Sequence, residues 1–397
     1  MTIIFWLCLA VVLYVYIGYP VLLRLGAFGR RKAVDRGSAT QTVSILVAAH
    51  NEESVIEAKL KNLLACNYPR DRVEILIGSD GSSDRTEAIV RPYAAEGVGL
   101  ISFPEQQGKS AIQNGLAAAS SGEILVFTDA DCLFDSEALS QMIENFSDPQ
   151  VGLVTARPAY VNEPETQITE NECLYLRYET WLRRQESEHG VLAMASGSLF
   201  AMRRSLWRAL DPNVGDDFAL PLHVARLGWR NVLEPEAVAY TCLPQNRAES
   251  MLRLKVRIIS KDFRALLANA CLLDPLRHRG LAVSLWSHKL LRWHIPYFLA
   301  GLFAASAFLM QRPFFRVWFA LQAAFYALAL AGFARANGRR LVFPWSVPMS
   351  FCLVNFAALL GSLKCLVGRT SGQWTPVRAR PAVADGLDPA GSNRALK

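Results

Sequence analysis

From residue 43 to residue 131 the chain repeats one pattern: a short apolar run, a polar turn, then a stretch of helical periodicity. The apolar runs cover 43–49, 73–77, 98–103 and the stretch from Glu123 to Asp131. Helical periodicity covers 52–66, 84–96 and 109–120. Strands alternating with helices at this spacing fold as a parallel sheet with helices on both faces. The expected class is therefore α/β with a Rossmann-like sheet. Two common nucleotide-binding variants are disfavoured. No GxGxxG follows the first strand, and Gly108-Lys109-Ser110 ends like a phosphate loop but Phe103 stands where its first glycine is required.

The fourth run ends in Asp129-Ala130-Asp131. On an extended backbone, positions i and i+2 point the same way, so two carboxylates emerge together from one strand end. The carboxyl ends of strands are where open α/β sheets bind ligands. One or two carboxylates completed by substrate phosphates suit Mg²⁺ or Mn²⁺. An isolated Asp-x-Asp is more often a surface turn, so its weight comes from its neighbours. His50-Asn51-Glu52-Glu53 follows the first strand, Ser79-Asp80-Gly81-Ser82-Ser83-Asp84 follows the second, and Gln107-Gly108-Lys109 opens the third helix. All of these belong to one rim of the expected sheet.

In order along the chain, "VSILVAAHNEE", "EILIGSDGSSDRT", "QGKSAIQNGLAAASSGEILVFTDAD" and "GDDFALPLHVARLGWR" resemble a family 2 glycosyltransferase with the GT-A fold. The likeness is to the integral-membrane branch that includes cellulose, hyaluronan and poly-N-acetylglucosamine synthases, and it spans about residues 42 to 265. It implies a nucleotide-sugar donor, most often uridine-linked, and a glycan or lipid-linked acceptor. Asp80 then meets the base or ribose, since a carboxylate accepts an imide N–H or a hydroxyl; a turn aspartate before Gly81 is its alternative. His50 and Glu52 match the nucleotide-edge loop, and Glu52 equally suits the first turn of a helix. Asp84 is expected to cap a helix. Lys109 neutralises phosphate at a helix N-terminus. Asp131 holds the metal on the diphosphate, with Asp129 nearer the ribose or the metal.

Farther on, Ser196-Gly197-Ser198 matches the acceptor side, where glycine permits close approach. Asp217 matches the general base, while Asp216 is expected to act only as a first-turn acid. His223 is expected to serve packing or surface. Where the family has Gln-x-x-Arg-Trp, this chain has Leu254-Lys255-Val256-Arg257-Ile258. Arg257 alone matches, as a group able to hold the departing diphosphate, and no tryptophan supplies a sugar-stacking platform. A non-catalytic scaffold would tolerate loss of these acids, yet every expected one is present.

The flanks differ in character. Of 397 residues 52% are apolar and the net charge is +7, with basic residues clustered beside apolar segments. That placement favours membrane lipid and a phosphorylated substrate over nucleic acid. Residues 3–23 are long enough to span a bilayer as a helix. Arg24, Arg30, Arg31, Lys32 and Arg36 follow, which places the next domain in the cytoplasm. The expected layout is a membrane helix at 1–24, a cytoplasmic catalytic domain at 42–245, interfacial helices at 246–293 and a membrane region at 294–367. Spans are expected at 295–310, 314–333 and 341–367. Three spans would leave Arg369, Arg378 and Arg380 outside, against the positive-inside rule, so one segment is expected to be re-entrant or interfacial. Arg253, Arg257, Lys261 and Arg264 share one face of an amphipathic helix. Residues 373–378 resemble a Trp-to-Arg element after the last membrane segment, and 382–397 is expected to be disordered. The expected location is an inner or plasma membrane, multi-pass. Eight cysteines without a CxxC are expected to be free thiols.

Overall fold

In the computed structural model, which describes residues 1–29, 31–38, 40–160, 167–242, 248–335 and 344–368, the alternating runs become neighbouring strands. They are β1 (Val43–Ala49), β2 (Val73–Asp80), β3 (Val98–Phe103) and β4 (Ile124–Asp129). β2 pairs in parallel with β1 and β3, and β4 in parallel with β1. Helices Ile56–Leu64, Thr86–Val90 and Lys109–Ala119 connect them. All seven residues of β1 are buried. Val43, Ile45, Val47 and Ala49 pack in one core with Ile56, Leu60 and Leu63. On the other face Gly78 leaves no room for a Cβ beside Ile112 and Leu116 of the Lys109 helix. A strand covered on both faces reads as an unbroken apolar run rather than an alternating one.

The remaining strands are β5 (Leu133–Phe134), β6 (Val151–Tyr160), β7 (Leu199–Arg203) and β8 (Arg230–Thr241). Among the described residues they complete an eight-stranded sheet in the order β3-β2-β1-β4-β7-β6-β8-β5. β7 lies antiparallel to both β4 and β6, so the sheet is mixed on that side. The chain winds outward through β2 and β3, then returns to place β4 on the other side of β1. This reversal opens a crevice at the carboxyl ends of β1 and β4. Register keeps those ends level, with Ala48 opposite Asp129 and Ala49 opposite Ser79.

The described residues divide into two compact units. The sheet unit draws on 31–160 and 186–242, and a helical unit draws on 1–29, 167–185 and 248–368. The expected continuous domain at 42–245 is therefore interrupted. Most of the helix Gln167–Glu188 belongs to the helical unit, because its polar partners are there. Asn171 donates to Ser350 Oγ at 2.8 Å, Lys255 pairs with Glu172 at 3.0 Å, and buried Glu179 meets His288 at 3.1 Å and Arg292. Burial alone would raise the Glu179 carboxyl, but Arg292 and His288 hold it well below its ordinary range.

Among the described residues, three helices of the helical unit are long and apolar enough to cross a membrane: Thr2–Arg24, Pro313–Arg335 and Ser346–Leu366. The span expected at 295–310 is instead a helix Leu291–Phe308 of 18 residues, and it is not one of the three. Its first turn carries Arg292 and His294, which lower its apolar character. The helix Ala248–Ala268 carries the expected basic face, with exposed Arg253 and half-exposed Ile258. It approaches the Ser346 helix closely, where a Cβ on Gly361 would lie 2.9 Å from Ile259. The elements expected at 373–378 and 382–397, with Arg369, Arg378 and Arg380, lie outside the described residues.

Candidate active site

The rim is built by loops that brace one another. Asn51 adopts φ 55°, a left-handed conformation that asparagine tolerates. Its side-chain oxygen accepts the N–H of Ser83 at 2.8 Å, and its own N–H donates to Ser82 Oγ at 3.1 Å. The loop after β1 is thereby stitched to the loop after β2. Asp84 accepts from Thr86 N–H at 2.9 Å, at the first turn of the next helix. Glu52 is buried, with its N–H donating to Thr86 Oγ1 at 2.8 Å. The His50 Nδ1–H donates to the Asp80 carbonyl at 2.6 Å. Gly81 turns the chain with φ 60°, and a Cβ there would sit 2.9 Å from the Gln106 nitrogen.

Asp80 is fully buried. One carboxylate oxygen accepts from Gln107 N–H at 2.6 Å and the other from Gly108 N–H at 2.9 Å. The side chain expected to meet a base or ribose thus braces the loop that launches Lys109. Lys109 Nζ lies 2.8 Å from Asp129 Oδ1 and 3.1 Å from Asp216 Oδ2. Burial would lower the lysine, but Asp129 and Asp216 outweigh it and keep the ammonium protonated well above its ordinary range. Asp216 is buried, and burial would raise its carboxyl; Lys109 and a 2.6 Å hydrogen bond from Gln113 Nε2 draw it below the usual range. The expectation that Asp216 is merely a first-turn acid is therefore corrected. It joins the third helix to the Asp216–Arg226 helix across the rim.

Asp217 points elsewhere, because adjacent helical residues diverge by about 100°. It is half-buried, and its Oδ2 lies 3.5 Å from the position a Cβ on Gly197 would take. Its carbonyl accepts from Ala195 N–H at 2.8 Å. Asp217 thus lies beside the glycine of the Ser196-Gly197-Ser198 segment. His223 sits farther along the same helix, partly exposed. Arg257 belongs to the helical unit, half-buried on the Ala248–Ala268 helix.

Asp131 reaches solvent at the mouth of the crevice. The water displaced by surrounding protein and the neighbouring Asp129 charge push its carboxyl up to about 6. Lys109 is shared by Asp129 and Asp216, and Lys59 and Lys109 offset the charge of Asp131 only in part. Among the described residues no three His, Cys, Asp or Glu side chains converge. Two carboxylates left with negative charge in excess fit a hard divalent cation whose other ligands are diphosphate and water oxygens.

Sequence patterns missed two contributors. Gln113 lies four residues after Lys109, a spacing that puts both on one helix face and could have flagged it. Lys59 had no such signal. It is fully buried under the Asp129 turn, with partners 69 and 73 residues away in sequence.

Comparison with known proteins agrees with this geometry. Residues 44–210 match the family model described as Glycosyl transferase family 2. A beta-monoglucosyldiacylglycerol synthase of Trichormus variabilis is 34% identical over 173 residues, covering 43% of this chain and 36% of that one. A poly-beta-1,6-N-acetyl-D-glucosamine synthase of Staphylococcus aureus is 29% identical over 212 residues, covering 51% of this chain and 50% of that one. The chain spans about half the length, or less, of these curated relatives. A mannosyltransferase from Pyrobaculum calidifontis, solved in complex with GDP-Man and Mn²⁺, superposes with a TM-score of 0.69 at 22% identity, covering 92% of this chain and 99% of that one. That likeness concerns the fold. Residues 44–210 thus match the model of glycosyl transferase family 2, and the strand order and the mannosyltransferase likeness give the fold as GT-A.

Proposed function

We propose that the protein is a membrane-bound inverting glycosyltransferase. It moves a sugar from a nucleoside-diphosphate donor, uridine-linked by the sequence resemblance, to a growing polysaccharide or a lipid-linked sugar. The observation that carries this is the gathering of Asp129, Lys109 and Asp216 within 3.1 Å contacts at the strand ends, with Asp217 next along the helix. Both acceptor classes have support, since one relative is named for a polymer and the other for a glycolipid. We place the sheet unit on the cytoplasmic side, where the basic residues after the first apolar helix would hold it.

Asp129 and Asp131 would hold Mg²⁺ or Mn²⁺, which neutralises charge gathering on the departing diphosphate. Lys109 stands beside them and turns from its carboxylates toward the phosphates as donor enters. His50 and Glu52 line the nucleoside side of the rim. Asp80 acts through the Gln107–Gly108 loop, because both of its oxygens are occupied and none of its surface is open. Asp217 takes the proton from the acceptor hydroxyl as that oxygen attacks the anomeric carbon in line. A single displacement inverts the anomeric configuration. By the sequence resemblance alone, Arg257 would steady the departing diphosphate.

The test is incubation of membranes containing the full chain with a panel of labelled nucleotide sugars, followed by sizing of the product. Transfer of one sugar with release of nucleoside diphosphate is expected. Neither transfer nor release from any donor, in a folded preparation, would sink the proposal.

A further inference from the structure

The Lys59 side chain is wholly enclosed in the sheet unit, with no exposed surface. An ammonium is tolerated at such depth only when its donors are matched. Here they meet Thr128 Oγ1 at 2.7 Å and the Cys132 carbonyl at 2.5 Å, and the charge lies 4.7 Å from the centroid of the Phe134 ring. None of these partners is a carboxylate. The choice of acceptors is informative, because Thr128 immediately precedes Asp129 and Cys132 immediately follows Asp131. Thr128 Oγ1 also donates to the Ser198 carbonyl at 2.9 Å, tying the near end of the turn to the segment beside Asp217. One cation carried on the Ile56–Leu64 helix therefore grips both ends of the turn that bears the two acids.

We propose that Lys59 is a positioning residue for the metal step: by clamping Thr128 and Cys132 it presets Asp129 and Asp131 to receive a divalent cation. This rests on the reading of those two acids as metal ligands. Two effects of Lys59 oppose each other. Its positive charge repels an arriving cation, whereas its clamp removes the need to order a loose turn. The clamp governs, because without it the carbonyl of buried Cys132 loses the Lys59 donor, and the turn relaxes to find another partner. Groups that orient metal ligands from behind typically change metal affinity or activity by about 10–100-fold when removed.

The experiment measures Mn²⁺ binding to the full chain in detergent, from the paramagnetic resonance signal of the free ion, with UDP and separately with GDP present. Wild type is compared with Lys59→Met, Thr128→Val and Asp131→Asn, and each is checked by thermal midpoint. Lys59→Met is expected to weaken Mn²⁺ binding by about 10–100-fold. Thr128→Val keeps the lysine charge and removes its contact with Lys59 together with the bond to the Ser198 carbonyl, and should weaken binding by a smaller factor in the same direction. Unchanged or tighter Mn²⁺ binding in the folded Lys59→Met protein, with Asp131→Asn still weakened, overturns the positioning role. If Lys59→Met does not fold, unchanged binding in Thr128→Val overturns it. Wild-type binding in Asp131→Asn would instead remove the metal reading beneath it. A lysine serving only packing would lower the thermal midpoint and leave the affinity of folded protein where it was.

Discussion

Asp216 and Asp217 are neighbours with opposite environments, and replacing each by asparagine separates their duties. Asp216→Asn keeps shape and leaves an acceptor for Gln113, now 2.6 Å from the carboxylate. Lys109 loses one carboxylate at 3.1 Å but retains Asp129 at 2.8 Å. Stranding a buried cation costs about 3–5 kcal/mol. Here the loss is nearer that of one charge-assisted hydrogen bond, about 1.5–3 kcal/mol. Lys109 then leans wholly on Asp129, so donor KM should rise and the thermal midpoint should fall. Asp217→Asn removes a charge that acts on Lys109 less than Asp129 or Asp216 does. Loss of a general base slows turnover by about 10²–10⁴-fold, equivalent to roughly 2.7–5.5 kcal/mol on the barrier. Donor KM and thermal midpoint should stay near wild type. The assay is turnover and donor KM for both variants in one detergent preparation, using the donor found in the nucleotide-sugar panel. Wild-type turnover by Asp217→Asn, or a defect in donor KM instead of kcat, refutes the assignment and moves the search for the base to His223.

Chelation should abolish transfer and added Mg²⁺ or Mn²⁺ should restore it; full turnover in excess chelator would rule out the metal. Because the Asp131 carboxyl is raised to about 6 in the fold, its protonated form is favoured there. Metal-free protein is then most stable below about pH 4 with respect to this group and loses that increment as pH rises through 6. Mn²⁺ affinity should accordingly climb roughly tenfold per pH unit up to about 6 and flatten above it, read by titration from pH 5 to 8. Burial pushes the thiol of Cys66 up to about 11 and that of Cys132 to about 12, whereas Cys271 is exposed. A thiol-alkylating reagent at pH 8 should mark Cys271 and spare the other two, as mass spectrometry would show. Gly81→Ala meets both a φ of 60° and the Gln106 nitrogen at 2.9 Å, and should destabilise the sheet unit by more than the roughly 1–2 kcal/mol of left-handed backbone alone, read as a lower thermal midpoint.

β1 to β4 were legible because each buried strand is an apolar run bounded by turns. The second run was read as 73–77, yet β2 continues through Gly78 and Ser79 to Asp80, since small residues at a covered strand end carry no apolar signal. β8 gave no warning. Glu234-Pro235-Glu236 interrupts its pattern, and the structure absorbs that interruption as a register shift beside Ala156 and Arg157. β7, at Leu199–Arg203, begins directly after the Ser196-Gly197-Ser198 segment. Among the proposed site residues, Asp129 and Asp131 stand out by their spacing at a strand end, and Asp217 only by its resemblance to the family pattern. The Gln113–Asp216 contact joins residues 103 apart in sequence, so only the assembled fold brings it into view. Asp84 was legible from its place before a helix, whereas Asp80 was legible as a site residue but not as the brace of a loop.

The interruption of the sheet unit by the helix Gln167–Glu188 bears on how the protein can be made and cut. A soluble fragment ending near residue 245 would keep that helix and discard what neutralises it. Glu172 would lose Lys255, Asn171 would lose Ser350, and Glu179 would lose both His288 and Arg292. Once unpaired, those polar groups and the apolar surface around them would recruit neighbouring copies or chaperones. Production by excision thus removes the wrong piece, and a shortened protein must either retain 248–366 or replace the helix by a linker. The same threading orders assembly, for the sheet cannot gain β8 until the chain has passed through the helical unit and returned.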